Sequence, residues 1–300
     1  MDKRAEFNFE WIFAIFAGIA ILFLAIYGVS KIGETQKYQT DTVAAKEFTI
    51  LLDPLQTNFF EDSAYNKIIF KQETQAKFKC YSEDFGKNQV SIKTVSNIGK
   101  NAPESALISV KNKYIFSKDV EQGKSFNVIS MPFEFPFKVT DIVLITAEEY
   151  CFLEPPFSIK DNLIGIKNIK FENCSEDFVK VCFDYEDDCD IIIDESSGFV
   201  EKNDQKLYYS GNLLYAAIVS DKEIYDCNVE RLLYRTKMIS DIYAQKADLA
   251  TTKNCNTNIK ADLEHFSNLL NEADPSSLYL LERLAKELDK RNNKEVCSLW

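Results

Sequence analysis

The densest run of chemistry-bearing side chains is DYEDDCDIIIDE, residues 184–195. Asp184, Glu186, Asp188 and Asp190 alternate through it, and clustered carboxylates attract a hard cation such as Ca²⁺. The run lacks the stepped oxygen ligands and turn glycine of a calcium loop, and it reads equally as a solvated hairpin tip. Paired carboxylates also serve glycoside hydrolysis, but with 47 acidic residues in the chain no pair is singled out. His265 is the only histidine. It lies off the apolar face formed by Ile259, Leu263, Phe266 and Leu270, so it reads as a surface side chain rather than a general base or ligand. Any Ser-His or Cys-His nucleophile would have to use it. The sequence has no glycine-rich phosphate loop, nucleophile elbow or zinc-protease helix. The expectation is a chain without a catalytic constellation, bound metal or cofactor.

The eight cysteines, Cys80, Cys151, Cys174, Cys182, Cys189, Cys227, Cys255 and Cys297, contain no CxxC pair. Zinc needs Cys/His clusters at short spacings, and only Cys174, Cys182 and Cys189 are near neighbours. An even count favours disulfides and an oxidising compartment; free buried thiols are the alternative. Asn173-Cys174-Ser175 matches the N-glycosylation acceptor pattern.

These side chains depend on the elements that carry them. Val229, Leu232, Leu233, Thr236, Ile239 and Tyr243 mark a helix over 228–247, roughly 30 Å long. Cys227 and Cys255 lie beyond its opposite ends, too far apart for a bridge. Helices at 258–272 and 276–292, joined at Asp274-Pro275, should pack antiparallel. Their outer ends then bring together Cys255 and Cys297, the predicted bridge, leaving Cys227 to find a partner in the β region, with Cys174, Cys182 and Cys189 as candidates.

Upstream, NKIIF, AKFKCY and QVSIKTV alternate as half-buried strands do. SALISV, KYIF and SFNVIS follow, with a turn at 121–124. MPFEFPFKV, with two prolines, suits an edge or crossover. DIVLITA, residues 141–147, is the most continuous apolar run of the soluble part and reads as a buried central strand. SIKDNLIGI reads as a short helix capped by Ser158. A meander follows, with turns at SED, YEDD, ESSG and NDQ, its last run extending through KLYYSGNLLYAAIVS.

The first 57 residues differ in kind. Residues 11–29 hold no charge and as a helix span ~28 Å, close to the ~30 Å hydrocarbon core of a bilayer. Trp11 and Tyr27 sit where aromatic rings favour the headgroup level. The run is too long for a signal-peptide core, and Ala25 and Tyr27 make a poor cleavage site. Residues 34–53 continue as a helix, with Val43, Ala44, Phe48, Leu51, Leu52 and Leu55 on its apolar side and a kink or end at Asp53-Pro54. Lys3 and Arg4 before the span nearly balance Lys31 and Lys37 after it. The cysteines, all after the span, place the large domain outside the cytoplasm. That part carries 33 basic against 44 acidic residues, which disfavours phosphate backbones and nucleic acid. Ala14 and Gly18 form a small-xxx-small pair suited to close helix contact.

The fold class is thus α+β: an N-terminal transmembrane helix extended into a second helix, a mixed or antiparallel β domain, and a C-terminal helical bundle. The divisions are a short cytoplasmic tail or leader (1–10), the span (11–29), a membrane-proximal helix (30–57), a β-rich ectodomain (58–222) and a helical region (223–300).

Arg4-Ala5, followed by EFNFE and the apolar run, resembles the N-terminus of archaeal and bacterial type IV pilin-like proteins. The resemblance covers about 30 residues. It implies cleavage after Ala5 and a mature chain beginning at Glu6, with the span kept as anchor and assembly helix. Glu10 would then be the fifth residue and would neutralise the amino terminus of a neighbouring subunit. The functional expectation is a single-pass, cell-surface protein with a non-catalytic binding or assembly role, acting at the membrane with a protein partner or its own copies. A carboxylate- or metal-using ectoenzyme and an accessory subunit of a membrane complex are the alternatives.

Overall fold

A computed structural model describes residues 9–51, 64–95, 104–183, 189–253, 255 and 257–300. Helix α1 (Phe9–Leu51) is unbroken for 43 residues, so the span and the membrane-proximal helix are one element rather than two. The intervening residues 30–40 contain no proline, and their Lys, Gln and Glu side chains favour helix. Among the described residues, none of the apolar window of α1 is buried. Only its last turns dock, through Asp41, Ala45 and Phe48, which share one face at i, i+4 and i+7. Val43, expected on that face, is 54% exposed. The helical period was legible, but its phase is set by a buried carboxylate and a small alanine, which apolar patterning does not register. Leu52, Leu55 and Asp53-Pro54 lie outside the described residues.

Beyond α1 stand two six-stranded sheets. The first runs in the order β3-β2-β1-β5-β6-β4. Its members are β1 (Ala64–Tyr81), β2 (Lys87–Thr94), β3 (Ile108–Lys111), β4 (Ile115–Phe116), β5 (Val120–Glu134) and β6 (Lys138–Thr146). All its pairings are antiparallel except β4 with β6. NKIIF and AKFKCY belong to one strand, β1, whose register shifts between Ile69 and Thr74. The turn expected at 121–124 is instead ladder: Glu121 pairs with Ala76 and Gly123 with Thr74. MPFEFPFKV forms the end of β5, a tight return and the start of β6, rather than an edge or crossover. Pro132 is tolerated there because β1 pairs with β5 only as far as Ser130, so Pro132 has a single neighbour, β6.

The second sheet runs β12-β11-β10-β9-β7-β8. Its strands are β7 (Tyr150–Leu153), β8 (Ile169–Lys170), β9 (Val179–Phe183), β10 (Ile191–Asp194), β11 (Phe199–Lys202) and β12 (Gln205–Tyr208), with helix α2 (Phe157–Leu163) between β7 and β8. Pro156, not Ser158, occupies the cap position of α2. The meander holds only for β10 to β12. β9 and β10 run parallel, Val181 opposite Ile191, and so do β7, β8 and β9. Parallel neighbours normally need a connection of a dozen or more residues. The shorter connection here carries the Cys182–Cys189 bridge, which ties β9 to the residues leading into β10.

Helix α3 (Leu213–Val219) lies where the last strand run was expected to continue. All seven residues are buried, and a helix apolar on every side shows no period to read. Then come α4 (Lys222–Thr252), α5 (Lys260–Asn271), a 3₁₀ turn (Pro275–Ser277) and α6 (Leu278–Asn292). Asp274 closes a capping box with Ser277. The larger core joins one face of the first sheet, the second sheet and helices α3 to α6, while α1 seals the opposite face of the first sheet. Ile142 and Leu144 point to one core, Val143 and Ile145 to the other. This burial on both sides is why DIVLITA reads as an uninterrupted apolar run.

All eight cysteines pair: Cys80–Cys227, Cys151–Cys174, Cys182–Cys189 and Cys255–Cys297. Cys255 and Cys297 stand 5.7 Å apart at Cα, before α5 and after α6. Cys227 pairs into the β region as expected, but with Cys80 rather than with Cys174, Cys182 or Cys189. The first turns of α4 lie beside β1, a position set by long-range packing that local spacing does not reveal.

Candidate functional site

Where the two sheets meet, a polar cleft of about 330 Å³ is lined by Lys118, Glu148, Asp177, Asp190, Lys202 and Asp221, among others. Five short connections build it. Lys118 lies between β4 and β5, Glu148 between β6 and β7, Asp177 just before β9, and Asp190 just before β10. Asp221 joins α3 to α4. Lys202 ends β11 at the Asn203-Asp204 turn, whose residues have φ of 50° and 58°. That conformation suits a two-residue hairpin return and is tolerated by Asn and Asp.

The cationic groups are already engaged. Lys118 pairs with Glu148. Lys202 donates to the carbonyls of Ile218, at 2.9 Å, and of Ser220, holding the C-terminal end of α3. Burial pulls the Lys202 ammonium down to about 8, against the opposing attraction of Asp221. Behind the cleft Glu121 is 2% exposed. One of its oxygens accepts the Ala147 N–H at 2.8 Å, and the other has no hydrogen-bond partner. Burial pushes the Glu121 carboxyl up to about 7. Tyr150 donates to Glu148 at 3.3 Å, and complete burial holds its phenol well above the ordinary tyrosine range. The cleft therefore combines engaged ammonium groups, carboxylates at its rim and a displaced carboxyl behind it. It can bind a polar group or respond to protons.

Of the sequence candidates, Asp184, Glu186 and Asp188 lie outside the described residues. Asp190 is at the cleft rim, where it accepts the Lys180 N–H at 2.8 Å. Among the described residues no group of three or more His, Cys, Asp or Glu is arranged to hold a metal. His265 is exposed and borders a shallow groove with Leu269 and Leu284. Asn173 is exposed at a left-handed turn position, beside the bridged Cys174. Glu10 lies in the first turn of α1, with its side chain outside the described residues.

Two further polar features escaped sequence reasoning. Asp41 accepts the Thr94 hydroxyl at 2.6 Å and the Thr94 N–H at 3.2 Å, seating α1 on β2. Arg231, fully buried, donates to the Phe85 carbonyl, Asn88 and Asn228 and lies over the Tyr114 ring. A charged residue within the buried stripe of α4 was the available signal. No protein family, curated protein or solved structure matches this chain.

Proposed function

We propose that this chain is a membrane-anchored, extracytoplasmic protein with a binding or assembly role, in which α1 is both the span and the spine of the folded domain. The observation that carries this reading is the division of one continuous helix. Its first part is apolar and unpacked, long enough to cross a bilayer, and its last turns are seated in the protein core. The four disulfides support an oxidising location for the domain. Its acidic balance supports a protein partner or a second copy over nucleic acid. The engaged lysines of the inter-sheet cleft favour binding or assembly over an ectoenzyme.

The test is protease digestion of intact cells against inside-out vesicles, with carbonate extraction of the membranes. The reading expects digestion of residues 31–300 from outside and retention of α1 in the membrane pellet. Protection in intact cells with cleavage in inside-out vesicles overturns the topology.

The finer reading is a pilin-like subunit. It rests on the Arg4-Ala5 junction followed by EFNFE and the apolar run. It expects a mature N-terminal peptide beginning at Glu6. A peptide beginning at Met1 leaves a plain anchor.

A further inference from the structure

We propose that Glu121 is a proton-operated latch on the link between the two sheets. Glu121 belongs to β5, in the first sheet, and holds the N–H of Ala147, the first residue after β6. Three residues later β7 begins the second sheet. This single contact therefore spans the point where the chain leaves one sheet for the other.

The groups that face it are fixed by the elements packed around it. Lys118 comes from the link before β5 and Glu148 from the link itself. Thr146 ends β6, and Tyr150 opens β7. Lys202 of β11 and Asp221, before α4, complete the charged surroundings. Glu121 accepts the Ala147 N–H, feels the Lys118 backbone N–H more weakly, and keeps one buried oxygen without a hydrogen-bond partner. Its proton is the adjustable part of the contact.

With the link closed, burial raises the Glu121 carboxyl from 4.5 to about 7. Released into water, the carboxyl returns to the ordinary value, so opening the link releases a proton across this interval. The opening equilibrium rises with pH between those values, by about 300-fold in all. Lys202 titrates higher, near 8. Opening would loosen the wall of the cleft formed by Lys118 and Glu148, so the same proton controls access to it.

Hydrogen–deuterium exchange on the full chain in detergent micelles tests the latch. Peptides covering residues 144–152 are followed at pH 5.5 and 7.5, each rate divided by its intrinsic value. Wild-type protection should fall about 20-fold between the two. Glu121→Gln should show less than a twofold change, and peptides from β2 should be flat in both proteins. Equal wild-type protection at the two pH values overturns the proposal. So does a Glu121→Gln protein that keeps the drop, or an equal drop in β2, which would mark global unfolding. Should Glu121→Gln not fold, the wild-type profile decides: protection that keeps falling steeply beyond pH 8 rather than levelling above about 7 overturns the latch.

Discussion

Arg231 and Glu121 are both buried charged residues, and the fold treats them in opposite ways. Arg231 faces neutral acceptors through Nε and Nη1, the Phe85 carbonyl at 2.9 Å, Asn88 at 2.5 Å and Asn228 at 2.8 Å, with Tyr114 beneath, while its Nη2 has no hydrogen-bond partner. Burial lowers its guanidinium only to about 10, so it stays charged at any physiological pH. The same site is closed by Cys80–Cys227, and Gly86 fits against it because a Cβ there would meet the Tyr81 carbonyl at 2.0 Å. Glu121 accepts the Ala147 N–H, with a weaker contribution from the Lys118 N–H, and has a value near neutrality. The comparison separates a buried charge that fixes structure from one that answers to its surroundings. Burial moves the two by a similar amount; the guanidinium starts at 12.5 and stays charged, whereas the carboxyl starts at 4.5 and is carried to neutrality.

The most direct way to break this contrast is Arg231→Ala. It leaves the Phe85 carbonyl and Asn228 oxygen without their donor and opens a void, a loss of about 4 kcal/mol. Arg231→Met keeps the volume and should recover part of it. Urea unfolding of the full chain in micelles reads both. A loss below about 1 kcal/mol for Arg231→Ala would mean that the network contributes little.

Removing the adjacent bridge by Cys80→Ala with Cys227→Ala should cost a comparable amount, about 4–5 kcal/mol. The bridge closes a sequence separation of 147 residues, which the chain-entropy model places at the upper end of disulfide effects. The same unfolding experiment measures it. The loss should be nearly independent of pH, unlike anything done to Glu121.

Glu121→Gln sharpens the contrast because it should stabilise. The folded-state value, about 7, is raised above the ordinary 4.5. The folded state therefore binds more protons than the unfolded state between these values, and wild-type stability falls as pH rises through that window. The difference amounts to about 3 kcal/mol when complete. Glutamine cannot ionise, yet its carbonyl can still accept the Ala147 N–H. The variant should match wild type near pH 4.5 and exceed it by about 3 kcal/mol at pH 8. Parallel unfolding curves at every pH would show that Glu121 is not the titrating group.

How much of this was legible depends on whether the cause was local. DIVLITA, the helical C-terminal third and the α+β class follow from period and composition, which act within a few residues. The pairing of Cys227 with Cys80, the parallel β9–β10 ladder and the helix at LLYAAIV depend on partners far along the chain. The cleft was invisible for the same reason. Glu121 sits in EQGK, which reads as a turn, and becomes a buried carboxyl only because β1 pairs alongside it. Lys202 looks like a surface lysine until α3 presents its carbonyls. Asp190 was noticed for a metal role, whereas its described contact ties the start of β10 to β9.

Asp41 lies between the two cases and should give the smallest effect. Like Arg231 it is buried and faces neutral partners, for Thr94 supplies both its hydroxyl and its N–H. Unlike Arg231 it belongs to an element otherwise held by few buried side chains, Ala45 and Phe48 above all. Asp41→Asn keeps one carbonyl oxygen for Thr94 but turns an amide N–H₂ toward the second donor, so one of the two bonds is lost. The expected change is about 1–2 kcal/mol, confined to the seat of α1 rather than spread over the fold. Exchange protection should fall at the end of β2 around Thr94 and in the last turns of α1, while the Arg231 network and the 144–152 link keep theirs. A loss of protection shared equally by α4 would mean that the seat of α1 and the larger core unfold together. The division of the molecule into a docked spine and a separately stable domain would then fail.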